Sequence, residues 1–375
     1  VLVPVATLLG ALTLATQLAL LLPDAPAGNF DANDLAPTML IPPIGAAIGV
    51  AVGRWLPATA AGPLAVLTGA IVIITLPGIG NGGTDVGWWL SPVPLRPNWA
   101  PGAPQPTGWH VLYLLALLAV VVAAALAQYR RTATVITVTA VALGTMAVSQ
   151  QLRDQPGSAN RPVTAAMLDH YTGPAVLRCE QHTNVQFCAL PGYQRWIPLW
   201  REAVEPVALA VPPGVAAPLP AVHQRDGLHL LAPTSAQPPT VDTDLNWGRH
   251  DTWAAQSRRS LVQRYVRALT ALPPTDLSDP CSGAGQLRTV VALWLIAQAL
   301  PDGRSLLDTN QLRLGRLTAG RAETDAARTL LGQPRHQVTA LLAAHWDAVV
   351  SPAPAGDLLS PLGVHNLTPT TPPAT

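Results

Sequence analysis

The sequence predicts a helical membrane bundle of about five spans followed by an extracytoplasmic α+β domain. Three observations carry this reading. Trp109–Ala127 is nearly all apolar and uncharged, and after Tyr129, Arg130 and Arg131 the stretch Thr132–Ser149 repeats the pattern. A helix needs about 20 such residues to cross a hydrocarbon core ~30 Å thick. Backbone groups in lipid must bond internally, so both stretches are helices of one hairpin with a basic turn. Charge is also scarce, at 11% of 375 residues, against roughly 25% in an ordinary soluble chain. It is unevenly spread as well: Arg54, Arg96, Arg130, Arg131, Asp24, Asp31, Asp34 and Asp85 precede Ser149, and 18 Arg and 17 acids follow it. Finally, all three cysteines lie after Ser149, as suits an oxidising exterior.

The spans fall at about 1–22, 37–54, 60–77, 109–127 and 132–149. Val1–Leu22 lacks the basic n-region and short apolar core of a signal peptide, so it reads as a span. Pro37–Val52 carries Pro42–Pro43 and is expected to kink there. Arg54, Arg130 and Arg131 sit in short loops, where positive charge marks the cytoplasmic side. This places the N-terminus inside and residues beyond Ser149 outside. Gly78–Gly108 is rich in Gly, Pro and Trp, with Trp88, Trp89 and Trp99. Two readings fit it, a loop on the outer interface and a re-entrant segment or lid. His110 beside Trp109 marks the interface.

The outer domain is expected over 150–365, with a disordered Thr/Pro tail at 366–375. Gln150–Arg161 reads as a polar linker. Pro174–Leu190 reads as a hairpin, and Tyr193–Val207 has helical spacing with Trp196 and Trp200 as core candidates. Short strands are expected at Val215–Val222 and Gly227–Leu231. Asp251 caps a helix reaching about Leu272, with Trp253, Leu261, Tyr265 and Leu269 on one side. Ser282–Leu300 is an apolar helix whose densest part is too short to span, so it belongs in a core. Arg321–Leu331 and Pro334–Val350 are further helices, the second with Pro334 in its first turn and His345 in the core.

If Thr183 and Asn184 form a two-residue turn, Cys179 faces Cys188 across an antiparallel pair at disulfide distance. The competing reading is a zinc site using Cys179, His182, Cys188 and Cys281. Cys281 otherwise reads as a small buried residue. No HExxH, G-x-S-x-G or P-loop occurs, and Gly283-Ala284-Gly285 lacks the third glycine of a dinucleotide fingerprint because Arg288 holds that place. No catalytic residue, metal site or cofactor is therefore assigned. A net charge of +1 with 22 Arg and no Lys gives no basic field for nucleic acid. Binding is the better expectation for the outer domain. Trp and Arg dominate binding hot spots, and Trp247, Arg249 and Trp253 meet at a loop-to-helix junction. Arg195 and Arg201 flank Trp196 and Trp200 in the same way.

Gly53-Arg54-Trp55-Leu56-Pro57, Trp109-His110-Val111-Leu112-Tyr113-Leu114, Cys179 with Cys188-Ala189-Leu190-Pro191-Gly192-Tyr193, and Gly285-Gln286-Leu287-Arg288 running into Ala292-Leu293-Trp294-Leu295 carry a resemblance. The chain resembles the multi-pass actinobacterial membrane proteins known as ABC transporter permeases or permease-associated proteins. The resemblance implies a bacterial plasma-membrane subunit of an export system, embedded in the lipid bilayer and working with a separate ATPase, as a homo- or hetero-oligomer. The alternative is a non-transporting receptor or scaffold whose outer domain binds a ligand or cell-envelope partner.

Overall fold

The computed structural model describes residues 2–21, 27–28, 32–55, 62–63, 67, 69–71, 90–91, 106–127, 129–154, 161–212, 219–226, 240–243, 247–248, 251–272, 285–308, 314, 319–352, 357–365 and 367. The chain divides into two compact units, Val1–Ala175 with Asp226–Pro233, and Val176–Arg225 with Thr234–Thr375.

The first unit is helical. Its main elements are α1 (Leu2–Leu21), α2 (Ala32–Trp55), α3 (Thr107–Ala125) and α4 (Arg130–Asp154), and each packs on the next. Among the described residues three helices are long and apolar enough to cross a membrane: Leu35–Trp55, Thr107–Ala125 and Arg130–Asp154. The span expected over 60–77 and the loop over 78–108 lie mostly outside the described residues. α2 runs as one helix through Pro37, Pro42 and Pro43. Gly10 of α1 meets it at Pro42, whose Cγ would lie 2.9 Å from any Cβ added at residue 10. Small residues let apolar helices approach in this way. The same device builds the α3–α4 hairpin. Ala133, Ala140 and Ala147 recur every seven residues on the buried face of α4, and Gln151 follows one turn later. Close to that stripe, a Cβ on Gly144 would come within 3.2 Å of the Ala116 Cβ. α4 continues to Asp154, into the stretch expected to be a linker. A short helix α5 (Ala165–Thr172) follows, and the Thr164 hydroxyl caps it by accepting from the Met167 amide at 3.1 Å.

The second unit holds a four-stranded sheet in the order β1 (Arg178–His182), β2 (Val185–Ala189), β3 (Ala221–Gln224), β4 (Thr240–Thr243). β1 and β2 are the expected antiparallel hairpin, with Cys179 opposite Cys188. Thr183 and Asn184 both take positive φ, 47° and 63°. That is the turn whose twist matches a two-residue hairpin. Asn tolerates this region well and Thr poorly, and the Thr183 hydroxyl bonds the Glu205 carboxylate at 2.7 Å. β3 pairs parallel to both β2 and β4. A parallel neighbour needs a crossover, and α6 (Ile197–Ala208) supplies it between β2 and β3. The strand expected at Val215–Val222 begins later, as β3. Gly227–Leu231 lies outside the described residues, and no local pattern in the sequence marks β4.

Among the described residues the α-helices that follow β4 are α7 (Asp251–Leu269), α8 (Leu287–Ala299), α9 (Gly303–Asp308), α10 (Arg321–Gly332) and α11 (Arg335–Val350), with a 3-10 helix at Asp357–Leu362 after them. α8 is the centre of the unit. It contacts α6, α7, α9, α10 and α11, and every residue from Leu287 to Ala297 is buried. A helix apolar all round belongs in such a place. Its polar start is tied down. Buried Glu323 on α10 accepts from the Gly285 amide at 2.5 Å, where Gly285 takes φ 71°, a conformation glycine adopts at no steric cost. Arg288 donates to the Ala271 carbonyl at 2.6 Å and, through Nε, to Gln286 at 2.5 Å. Burial lowers the Arg288 pKa. Around α8, Trp200, Trp294 and Tyr265 are fully buried, and burial pushes the Tyr265 phenol well above its ordinary value. His345 is a correction: it is exposed, and its φ of −132° breaks the regular helix of α11. Trp346 takes the buried position instead.

Cys179 and Cys188 are joined, with Cα atoms 4.0 Å apart. Both thiols are consumed, so the zinc alternative built on them falls. The bond closes a loop of nine residues' separation, and loop-closure entropy gives about 2–3 kcal/mol of stability. Exchanging both cysteines for alanine should lower stability by that amount in a denaturant titration. A loss below about 0.5 kcal/mol would show that the turn alone fixes the hairpin.

Candidate functional site

In the first unit, polar residues collect at one end of the α3–α4 hairpin. The Trp109 indole donates to the Asp154 carboxylate at 3.1 Å, and Arg161 donates to the Asp154 carbonyl at 3.3 Å. Together with the approach of Ala116 to Gly144, this pairing fixes the antiparallel register and brings His110 level with Gln151. Both side chains are fully buried, as are Ser91 and nearly all of Thr107. Tyr113 donates its hydroxyl to the Leu90 carbonyl at 2.9 Å, and its ring lies 5.8 Å from that of His110. His110 is thus more than an interface marker. The signal in the sequence is a histidine and a glutamine at the edges of two apolar runs, but only the helix register shows that they share a level and face inward.

The opposite end is basic. Arg54 is in the last turn of α2, and Arg130 and Arg131 open α4. The Trp55 indole donates to the Ala124 carbonyl near the end of α3, at 3.3 Å. This brings all three arginines, each exposed, to one end of the bundle.

In the second unit the expected Trp247–Arg249–Trp253 site resolves into unlike residues. Trp253, in the first turn of α7, is 73% exposed. It leaves the apolar side expected for it, because α7 reaches the core only from Leu261 onward. Trp247 is half-buried and packs on the core. Gly248 lies flat on α7. A Cβ there would collide with the Trp253 carbonyl, and its amide donates to the Ser257 hydroxyl at 2.9 Å. Arg249 and Cys281 lie outside the described residues. Trp200 fills the core, and Trp196 sits edge-on to Tyr193 with ring centres 5.0 Å apart. Arg195 and Arg201 are exposed, and Arg201 lies 3.9 Å from Glu205.

Trp253→Ala should leave the melting temperature unchanged. Trp247→Ala should cost about 1–3 kcal/mol through lost packing. Equal losses from the two variants, read by thermal unfolding, would contradict the difference in burial.

Among the described residues no group of three His, Cys, Asp or Glu could hold a metal ion. An open depression on the second unit is lined by Pro212, Arg335, His336, Thr339, Ala340 and Ala343. No protein-family model, curated protein or solved structure matches the chain.

Proposed function

We propose that the chain is a plasma-membrane permease or accessory subunit of an ABC-type export system, working with a separate ATPase. The observation that supports this is the inward-facing set Thr107, His110 and Gln151 on helices apolar enough to span. These side chains lie at the end of the spans that carries Trp109 and Asp154, and a buried polar set at the mouth of an apolar bundle is where a substrate or ion path would open. In this reading the basic end with Arg54, Arg130 and Arg131 faces the cytoplasm, and the sheet-containing unit lies outside. The test is purification from native membranes. A P-loop ATPase should accompany the chain, and His110→Ala should reduce transport-coupled ATP hydrolysis while leaving the complex assembled. Recovery of the chain without any ATPase would sink the proposal.

The second reading, a receptor or scaffold without transport, is favoured by one feature, the large exposed aromatic surface of Trp253. It requires that ligand binding survive in vesicles from which every ATPase has been removed.

A further inference from the structure

We infer that the basic end of the helical bundle, with Arg54, Arg130 and Arg131, holds the headgroup phosphate of an anionic phospholipid. The inference rests on reading the apolar helices of the first unit as membrane-spanning, and not on transport.

The arginines are gathered by packing within that unit. All three are exposed. Arg54 is in the last turn of α2, and Arg130 and Arg131 open α4. The Trp55 indole bond to the Ala124 carbonyl, at 3.3 Å, holds the end of α2 against the end of α3. A tight turn leads from there to α4. In it the Leu126 amide donates to the Val122 carbonyl at 3.0 Å, and the Tyr129 amide donates to the Leu126 carbonyl at 2.8 Å. No acid of these helices shares that end. α1 and α3 contain no Asp or Glu, Asp34 lies in the first turn of α2, and Asp154 ends α4. Arg130 and Arg131 also stand in the first turn of α4, where the helix dipole is already positive. The complement of this surface is an anion.

The surface beside the charges selects the kind of anion. Trp55 and Tyr129, the neighbours of Arg54 and Arg130, are exposed aromatic side chains suited to headgroup depth. Arg131, Val135 and Val138 follow the i, i+4, i+7 spacing of one helix face, and the two valines are 66% and 64% exposed. An occupant that complements both features offers a negative group joined to hydrocarbon. A phospholipid does so, with acyl chains along α4 and its phosphate level with the arginines. The guanidinium fork accepts two phosphate oxygens at once, and the apolar arginine stem lets the charge reach up to them. A lipid of net negative charge is favoured over a zwitterionic one, which brings a cation of its own to the site.

The test reconstitutes the full chain in nanodiscs with equal amounts of phosphatidylglycerol and phosphatidylcholine. Both leaflets then have one composition, so the outcome does not depend on which way the bundle inserts. Native mass spectrometry reads the lipids retained when the chain is released. Phosphatidylglycerol should be kept several-fold over phosphatidylcholine. Arg130→Gln combined with Arg131→Gln should bring the two to parity, and the paired lysine variants should keep most of the preference. Arg153→Gln, an exposed position at the far end of α4, should leave the preference unchanged. In native membranes, the photoreactive Tyr129→p-benzoylphenylalanine should form lipid adducts. Equal retention of both lipids by the unaltered chain would overturn the lipid site, and so would an equal loss from Arg153→Gln. Retention of inorganic phosphate in place of lipid, or adducts from position 129 to a protein partner, would overturn it as well. A chain that enters the discs without preference sinks the lipid site alone, whereas a chain that stays out of them sinks the membrane reading beneath it.

Discussion

Trp294→Ala is expected to cost the sheet-containing unit about 3–5 kcal/mol, a large part of the roughly 5–15 kcal/mol typical of a folded domain. Trp294 is wholly buried on α8, the helix on which five others pack. The hole left by its ring cannot close without shifting several of them, and that cavity, added to the lost transfer energy, makes the cost high. Its indole N–H has no hydrogen-bond partner among the described residues, so no polar contact is lost with it. Trp294→Phe should therefore be much milder, since it keeps most of the apolar volume and removes a buried donor. Denaturant titration of the full chain, followed by near-ultraviolet circular dichroism, measures both. A loss below about 1 kcal/mol for Trp294→Ala would mean that α8 is not the centre of the core.

That helix is legible in the amino-acid pattern alone. Its largely apolar residues, set between turn-forming stretches, are too few to cross a membrane and too apolar for a surface, so burial is the remaining solution. The hairpin is legible for another reason: a two-residue turn at Thr183 and Asn184 fixes the register and sets Cys179 opposite Cys188. Elsewhere local pattern and tertiary position part company. Trp253 fits the periodicity of α7, but periodicity does not say how far the helix projects past the core. His345 fits an apolar stripe on α11, yet the backbone breaks there and turns the ring outward. β4 is only four residues, Thr240–Thr243, and it gains its identity from pairing with β3. The inward cluster of the first unit is hidden for another reason. His110 and Gln151 are 41 positions apart, and only the small-residue packing of α3 on α4 sets them at one level.

The orientation of the bundle gives the second large effect, an all-or-none labelling pattern. Arg54, Arg130 and Arg131 reach one end through separate elements, α2 and α4, and the Trp55 contact to Ala124 draws those elements together. Short basic loops stay in the cytoplasm, and moving them across the membrane would carry all three charges through lipid. Asp154 and Trp109 occupy the other end, with tryptophan where an interface belt is expected. Thr132→Cys should therefore be shielded from an impermeant thiol reagent in intact cells and react only after the membrane is opened. Gly157→Cys should react in intact cells. Mapping the tag by peptide mass spectrometry separates these positions from Cys281. Arg130→Ser combined with Arg131→Ser should weaken the bias and let part of the population label at position 132. The reverse pattern in the otherwise unaltered chain, with 132 labelled and 157 shielded, would turn the bundle over and place the sheet-containing unit in the cytoplasm.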